Sequence, residues 1–349
     1  MGGGNDTTRK IRRLLVAASE ANKIGDREAE KRAWLDAIEL DDGSDSDVMG
    51  DSQWPPFRLR PYIMYAHDLQ QLGDARGALK VVEQARVRWA GDDHLQMLLG
   101  RCHADLEEWQ QAADAYQRSA ELAPRASTFL LLGSALDKLG RHDDALHWLL
   151  QALVIDPNYE EAHYNLGWVL ERTDKDGAIV RFRRAVEIDP DYQIAHARLG
   201  ALLFGRAVKA GLEHPDWAEA VEHLTRAVTL DPEDGWSHAY LASARQAEEN
   251  WEEAEAHHRA AARLLPSIGL LWSHLGSFLS LRGEFVEAEQ MLERGVTLGP
   301  DEGRTHFALG EHLWRRGNRA DARTELRTAN RLGHARSLEW LKDREADEA

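Results

Sequence analysis

The chain has 349 residues, a net charge of −17 and 43% hydrophobic residues, a balance typical of a folded protein. That charge argues against nucleic acid and against an anionic membrane surface as partners, since both select clustered Lys and Arg. The lone Cys102 excludes an intramolecular disulfide and a Cys-rich metal site, and it reads as a packed small residue rather than a reactive thiol.

In chain order, residues 1–42 form a divergent N-terminal section. Residues 1–8 are Gly-rich and polar and are expected to be disordered. The start MGGGND places Asp6 where a myristoylation signal needs Ser or Thr, and no signal-peptide apolar core follows. No apolar run approaches the ~18 residues of a membrane helix. The expected location is the cytoplasm, and the excess of Arg over Lys suggests a GC-rich bacterial genome. Residues 9–40 read as a first helix pair with LLVAA and AWLDAIEL as apolar stripes. An acidic linker spans 43–58, within the run DDGSDSDVMGDSQWPP. Asp45, Asp47 and Gly50 sit at positions 1, 3 and 6 of a calcium loop, but Met49 and Pro56 stand at 5 and 12, where the pattern wants oxygen ligands. A solvated linker, with Trp54 as its anchor onto a neighbouring helix, is the simpler reading.

From residue 59 to 334 one unit of ~34 residues recurs. It is clearest from Ala126 to Pro157. Phe129, Leu132 and Leu136 fall at helical spacing, and Gly133 marks a close approach of two helices at a cost of roughly 1 kcal/mol against Ala. Gly140 ends that helix. Ala145, Leu149 and Ala152 face it from a second helix, which Asp156-Pro157 stops. Such a pair has more apolar seam than it can bury alone and must stack on a neighbour. Leu99-Gly100, Leu166-Gly167, Leu199-Gly200, Leu275-Gly276 and Leu309-Gly310 repeat the signal, with Leu241-Ala242 as a variant. Repeats begin near 11, 59, 93, 126, 160, 193, 235, 269 and 303. The sixth carries added residues around FGRAVKAGLEHPDW, expected to lengthen its first helix by about two turns. Residues 335–349, with Leu338 and Leu341 on one face, read as a capping helix.

This phase resembles the tetratricopeptide repeat family, whose W…LG…Y…A…F…P spacing it follows. The resemblance implies an all-α, right-handed superhelical solenoid of about nine helix-turn-helix repeats with a C-terminal capping helix. The first two repeats depart from the pattern, lacking the Leu-Gly pair and the terminal proline.

No phosphate loop, GxGxxG, HExxH or GxSxG element is present, so no catalytic residue, metal or cofactor is expected. The histidines look scattered; His257-His258 are adjacent on a helix and point apart, which makes a poor metal pair. In the family the first helix of each repeat lines a concave groove. Carried onto this chain, its inward positions are Tyr164, Asn165, Trp168, Arg198, Phe204, Trp236, Tyr240, His274, Arg304, Phe307 and Trp314, with Arg60, Met64, His67, His94, Arg101 and Ser134 toward the N-terminus. Aromatic and Arg side chains carry interface energy, so these point to a partner groove; the competing reading packs the rings against the next repeat. A chaperone-type carboxylate clamp finds Asn165 and Arg198 but Leu130, Ser134 and Ile194 at its other places, and is not expected. The expected function is a non-enzymatic scaffold binding a protein or peptide. By the net charge the partner is basic or mixed, with apolar anchors. The alternative is a regulatory or recognition subunit of a separate enzyme in a bacterial signalling or defence complex. A homo-oligomer stays open.

Overall fold

The computed structural model of the chain describes residues 3–40 and 58–347. The linker expectations, including the rejected calcium loop and Trp54, lie outside the described residues. Those residues contain helices and no strand. They divide into two compact units, 1–181 and 182–349.

The first unit opens with α1 (Gly3–Ile24) and α2 (Arg27–Glu39). Helix α1 starts at Gly3, so residues expected to lack order belong to it. There follow α3 (Arg60–Gln71) with α4 (Ala75–Trp89), α5 (Asp93–Asp105) with α6 (Trp109–Leu122), α7 (Ala126–Lys138) with α8 (His142–Ile155), then α9 (Glu160–Leu170) and α10 (Lys175–Ile188), whose residues from Phe182 on belong to the second unit. The second unit continues with α11 (Gln193–Ala210) and α12 (Pro215–Leu230), α13 (Gly235–Ala247) and α14 (Trp251–Leu264), α15 (Gly269–Arg282) and α16 (Phe285–Leu298), α17 (Gly303–Arg315) and α18 (Arg319–Arg331), and closes on α19 (Arg336–Asp347). Odd-numbered helices up to α17 are the first helices of the pairs.

Local chemistry explains the boundaries. Side chains of Asp74, Asp92 and Asp234 accept from backbone N–H groups in the first turns of α4, α5 and α13, satisfying donors that a helix start leaves open. Between the members of a pair the chain turns through a left-handed residue, glycine at Gly140 and Gly283. Glu107 and Glu249 take the same conformation at φ 59° and 60°, an arrangement that strains a residue with a Cβ. Within a pair, the glycine of the Leu-Gly signal is where the helices touch. A Cβ on Gly200 would lie 2.7 Å from Leu224 Cγ, closer than any packed pair of carbons. Helix α11 runs 18 residues against 13 in α13, so five of the added residues extend the first helix, less than the two turns expected, and α12 at 16 residues is two longer than α14.

The core of each unit is the stacked seam. In the first unit Leu132, Leu136, Leu149, Ala162 and Leu166 pack in one cluster. Cys102 is fully buried among Leu95, Leu98 and Leu99, and burial pushes its thiol up to about 12, far from a reactive thiolate. In the second unit Leu292, Leu309, Leu313, Trp314 and Leu326 close onto α19 through Leu341.

Candidate functional site

The first helices keep one stripe of each out of the core. In the second unit these stripes are Ile194, Arg198 and Ala201 on α11; Trp236, Tyr240, Ser243 and Ala247 on α13; Leu270, His274, Ser277 and Leu281 on α15; and Arg304, Ala308, Glu311 and Arg315 on α17. The offsets of four, seven and eleven residues hold each set on one helix face, and every member is at least partly exposed while the residues between them are largely buried. Large side chains stand at the helix starts (Ile194, Trp236, Leu270), and small ones (Ala201, Ser243, Ser277) two turns on. In the first unit the corresponding stripes hold Met64 and His67, Met97 and Arg101, Leu131 and Ser134, and Tyr164, Asn165 and Trp168.

Charge is not spread evenly over these helices. Helices α11, α13, α15 and α17 carry Arg198, Arg206, Lys209, Arg245, Arg282, Arg304 and Arg315 against the single carboxylate of Glu311. Burial pushes that carboxyl up, with Arg315 and Arg344 opposing. Arg206 pairs with Asp216, and Arg245 with Glu248 and Glu253 at 2.8 Å. Arg282 and Arg304 make no ion pair among the described residues. In the second helices α12, α14 and α16 acids outnumber bases, and several are tied between neighbouring helices: Arg183 to Glu219 at 2.6 Å, Arg259 to Glu287 at 2.6 Å and Arg316 to Glu289 at 2.5 Å.

The histidines prove ordered. His163, His196, His238 and His306 each place Nε2 at 3.0–3.2 Å from the carbonyl of the proline six residues earlier, and Trp272 Nε1 does the same to Pro266 at 3.0 Å. Each ring thus ties the turn that enters a repeat to the first helix. Two of them meet a second histidine through Nδ1: His196 with His223 at 2.9 Å, and His238 with His257 at 2.8 Å. With Nε2–H donated to the proline carbonyl, Nδ1 of His196 or His238 accepts from its neighbour's Nδ1–H, an arrangement that the neutral form of the accepting ring provides. Burial holds His196, His223 and His257 below the ordinary imidazole range. No group of three or more His, Cys, Asp or Glu is placed to hold a metal among the described residues.

Family profiles match within the same repeats. Tetratricopeptide repeat profiles cover 64–127 and 161–192, and a TPR repeat profile covers 133–174. The chain carries tetratricopeptide repeats across residues 64–192. No curated protein matches its sequence. Among solved structures, the C-terminal part of a TPR repeat-containing protein from Cytophaga hutchinsonii is 12% identical with a TM-score of 0.52, covering 70% of this chain and 98% of that one. A tetratricopeptide repeat protein from Parabacteroides merdae is 14% identical with a TM-score of 0.51, covering 72% and 97%. YrrB, a TPR protein with an unusual peptide-binding site, is 22% identical with a TM-score of 0.42, covering 59% and 96%. At these identities the likeness is one of fold.

Within the tetratricopeptide repeats, the expected groove residues do not share one environment. Trp236 is 46% exposed at the start of α13, and Arg304 is exposed on α17. Tyr240 is half-buried, its ring 5.8 Å from Phe204. Phe204 also lies 5.6 Å from Trp217 in a small apolar cluster. His274 sits lower in the face, where burial and the Arg304 charge push its imidazole down. Tyr164, Asn165 and Trp168 are partly exposed on α9, and Trp168 packs beside the core of the first unit. Arg198 is half-buried on α11. Trp314 corrects the expectation, being 6% exposed with its ring 5.9 Å from Trp340 and Arg319 stacked at 4.2 Å. Phe307 likewise meets His334 at 4.3 Å and Trp340 at 6.0 Å. Helix α19 buries Ser337 and Leu341, with Leu338 and Trp340 half-buried beside them. The Pro-x5-His register, repeated four times, was visible in the sequence and is the signal that the sequence reading missed.

Proposed function

We propose that this protein is a non-enzymatic interaction scaffold that holds a protein or peptide segment on the exposed stripes of its first helices. Trp236, Tyr240, His274 and Arg304 are the working residues of the second unit, and Tyr164, Asn165 and Trp168 those of the first. Helix α19 serves as the cap. The observation that carries this reading is Trp236, a large aromatic left 46% exposed on a stripe that no helix of its own unit covers. Trp is among the side chains that most often carry the binding energy of an interface. A cytoplasmic, bacterial setting accords with the single buried cysteine and the Arg-rich composition. The net charge suggested a basic partner, but as a whole-chain average it does not describe these stripes.

The test is a tagged pull-down from native lysate, wild type beside Trp236→Ala/Arg304→Ala, with thermal melts of both. A stoichiometric protein retained by the wild type and lost from an equally stable variant is expected. Equal recovery of the same partner by both would move binding to another surface of the chain.

A further inference from the structure

We propose that the first-helix face of the second unit takes an acidic segment bearing large apolar side chains. The inference rests on the scaffold reading above and names the chemistry of its partner. Its ground is the mismatch between the whole molecule, at −17, and these four helices, which hold Glu311 as their sole carboxylate. A surface that sheds acids in a strongly acidic chain repels acidic segments least where its cations stand, and it focuses a positive field inside a negative envelope. Ion pairs with Asp216, Glu248 and Glu253 neutralise the cations at one edge of the face. Among the described residues Arg304, on the exposed stripe of α17, has no carboxylate partner; Arg282, at the end of α15 beside that stripe, has none either and lies over the Trp251 ring at 5.9 Å.

The layout of the stripes agrees. Ile194 and Trp236, 44% and 46% exposed, form an apolar row at the helix starts that suits Leu, Phe or Trp side chains. The row of Ala201, Ser243 and Ser277 leaves room for a main chain, and the imidazole of His274 and phenol of Tyr240 stand beside it as hydrogen-bonding groups. Carboxylates on such a segment meet guanidinium groups, which bind them through paired N–H donors. Single-stranded RNA also offers anions and rings, but the acids of α12, α14 and α16 and of the turns around this face oppose a continuous phosphate chain more than a short peptide.

The experiment is fluorescence anisotropy on the full chain with three labelled probes. One is a twelve-residue peptide of Glu and Asp with interspersed Trp and Leu, the second replaces every acid by Lys, and the third is a twelve-nucleotide single-stranded RNA. Arg282→Glu/Arg304→Glu is compared with wild type and with Arg327→Glu, an exposed charge reversal on the second helix α18; circular dichroism and melts verify folding. The acidic peptide is expected to bind, to weaken at least tenfold in the double variant but not in Arg327→Glu, and to weaken severalfold from low to high salt. Tighter binding of the Lys peptide would overturn the charge assignment and leave the scaffold reading standing. RNA binding that exceeds the acidic peptide and disappears in the double variant would transfer the face to nucleic acid. Failure of both peptides to bind would sink both readings of this face.

Discussion

His258 is expected to make the second unit sensitive to acid. Its ring is 3% exposed on α14, with Nε2 3.1 Å from Gln246 Oε1 and the Phe278 ring 5.2 Å away. Burial, with His274 and His257 nearby, holds its pKa at about 3. In the unfolded chain the same ring titrates near 6.5. Between those values the unfolded state binds the proton and the folded state does not, so stability is full above 6.5 and falls as the pH drops toward 3. One pKa unit corresponds to about 1.4 kcal/mol, which makes the loss about 2 kcal/mol at pH 5 relative to pH 8. His258→Gln removes the titration while a side-chain amide can still donate to Gln246. Urea unfolding of both proteins at pH 8, 7, 6 and 5 measures the difference. Other buried histidines with lowered pKa, among them His274 and His312, act on both proteins and cancel. The wild type should lose about 2 kcal/mol more than the variant between pH 8 and 5. Parallel curves, or an NMR titration of the His258 ring near 6.5, would refute the reasoning.

Other residues separate packing from binding. Trp314→Ala should lower stability by about 3–5 kcal/mol, since it leaves a cavity against Trp340 and Arg319, whereas Trp236→Ala should leave the melting temperature near wild type; a matched loss in both would mean that Trp236 is core. Gly200→Leu should destabilise by roughly 1–3 kcal/mol through overpacking against Leu224, and an unchanged melt would break the assignment of the helix contact. Glu249→Gly should stabilise by about 0.5–1 kcal/mol, because relief of the left-handed strain exceeds the added chain entropy; a lower melting temperature would contradict it.

The repeated helix pair was legible because its signals are local. A glycine between apolar residues, alanines at helical spacing and a terminal Asp-Pro each act within a few residues, and from α5 on each first helix starts on the residue at which the repeat renews, as at Asp93, Ala126 and Gly269. Where the signal was absent the reading slipped: nothing in MGGGND marks a helix, and α1 begins at Gly3. Trp314 and Phe307 slipped for a different reason. The family assigns their positions to an open surface, and only the register of α19 decides that Trp340 covers them, a tertiary fact that repeat spacing does not carry.

The charge of the candidate face was readable but had been averaged away. Net charge governs solubility and long-range approach, whereas a partner within a few ångströms meets the local set, because fields between exposed groups are screened beyond about 8–10 Å at physiological salt. In a repeat protein the local set can be read by sorting residues by helix rather than by stretch. Sorted so, the second unit keeps its acids on the second helices and turns, where Glu219, Glu287 and Glu289 bind arginines of neighbouring helices and so link successive pairs. The same sorting leaves Arg304 and Arg282 on the first helices without an acid partner. An acidic chain with a cationic face is the consequence of these two demands: carboxylates are consumed in joining repeats, and the face that joins nothing keeps the opposite sign. The first unit lacks that partition, since Asp93, Asp105, Asp137, Glu160 and Glu161 lie on its own first helices among Arg101 and Lys138. A binding assay should therefore find the charge preference in the second unit, and reversal at Arg101 should leave the affinity for an acidic peptide within twofold of wild type; a tenfold loss there would place the acidic ligand on the first unit instead.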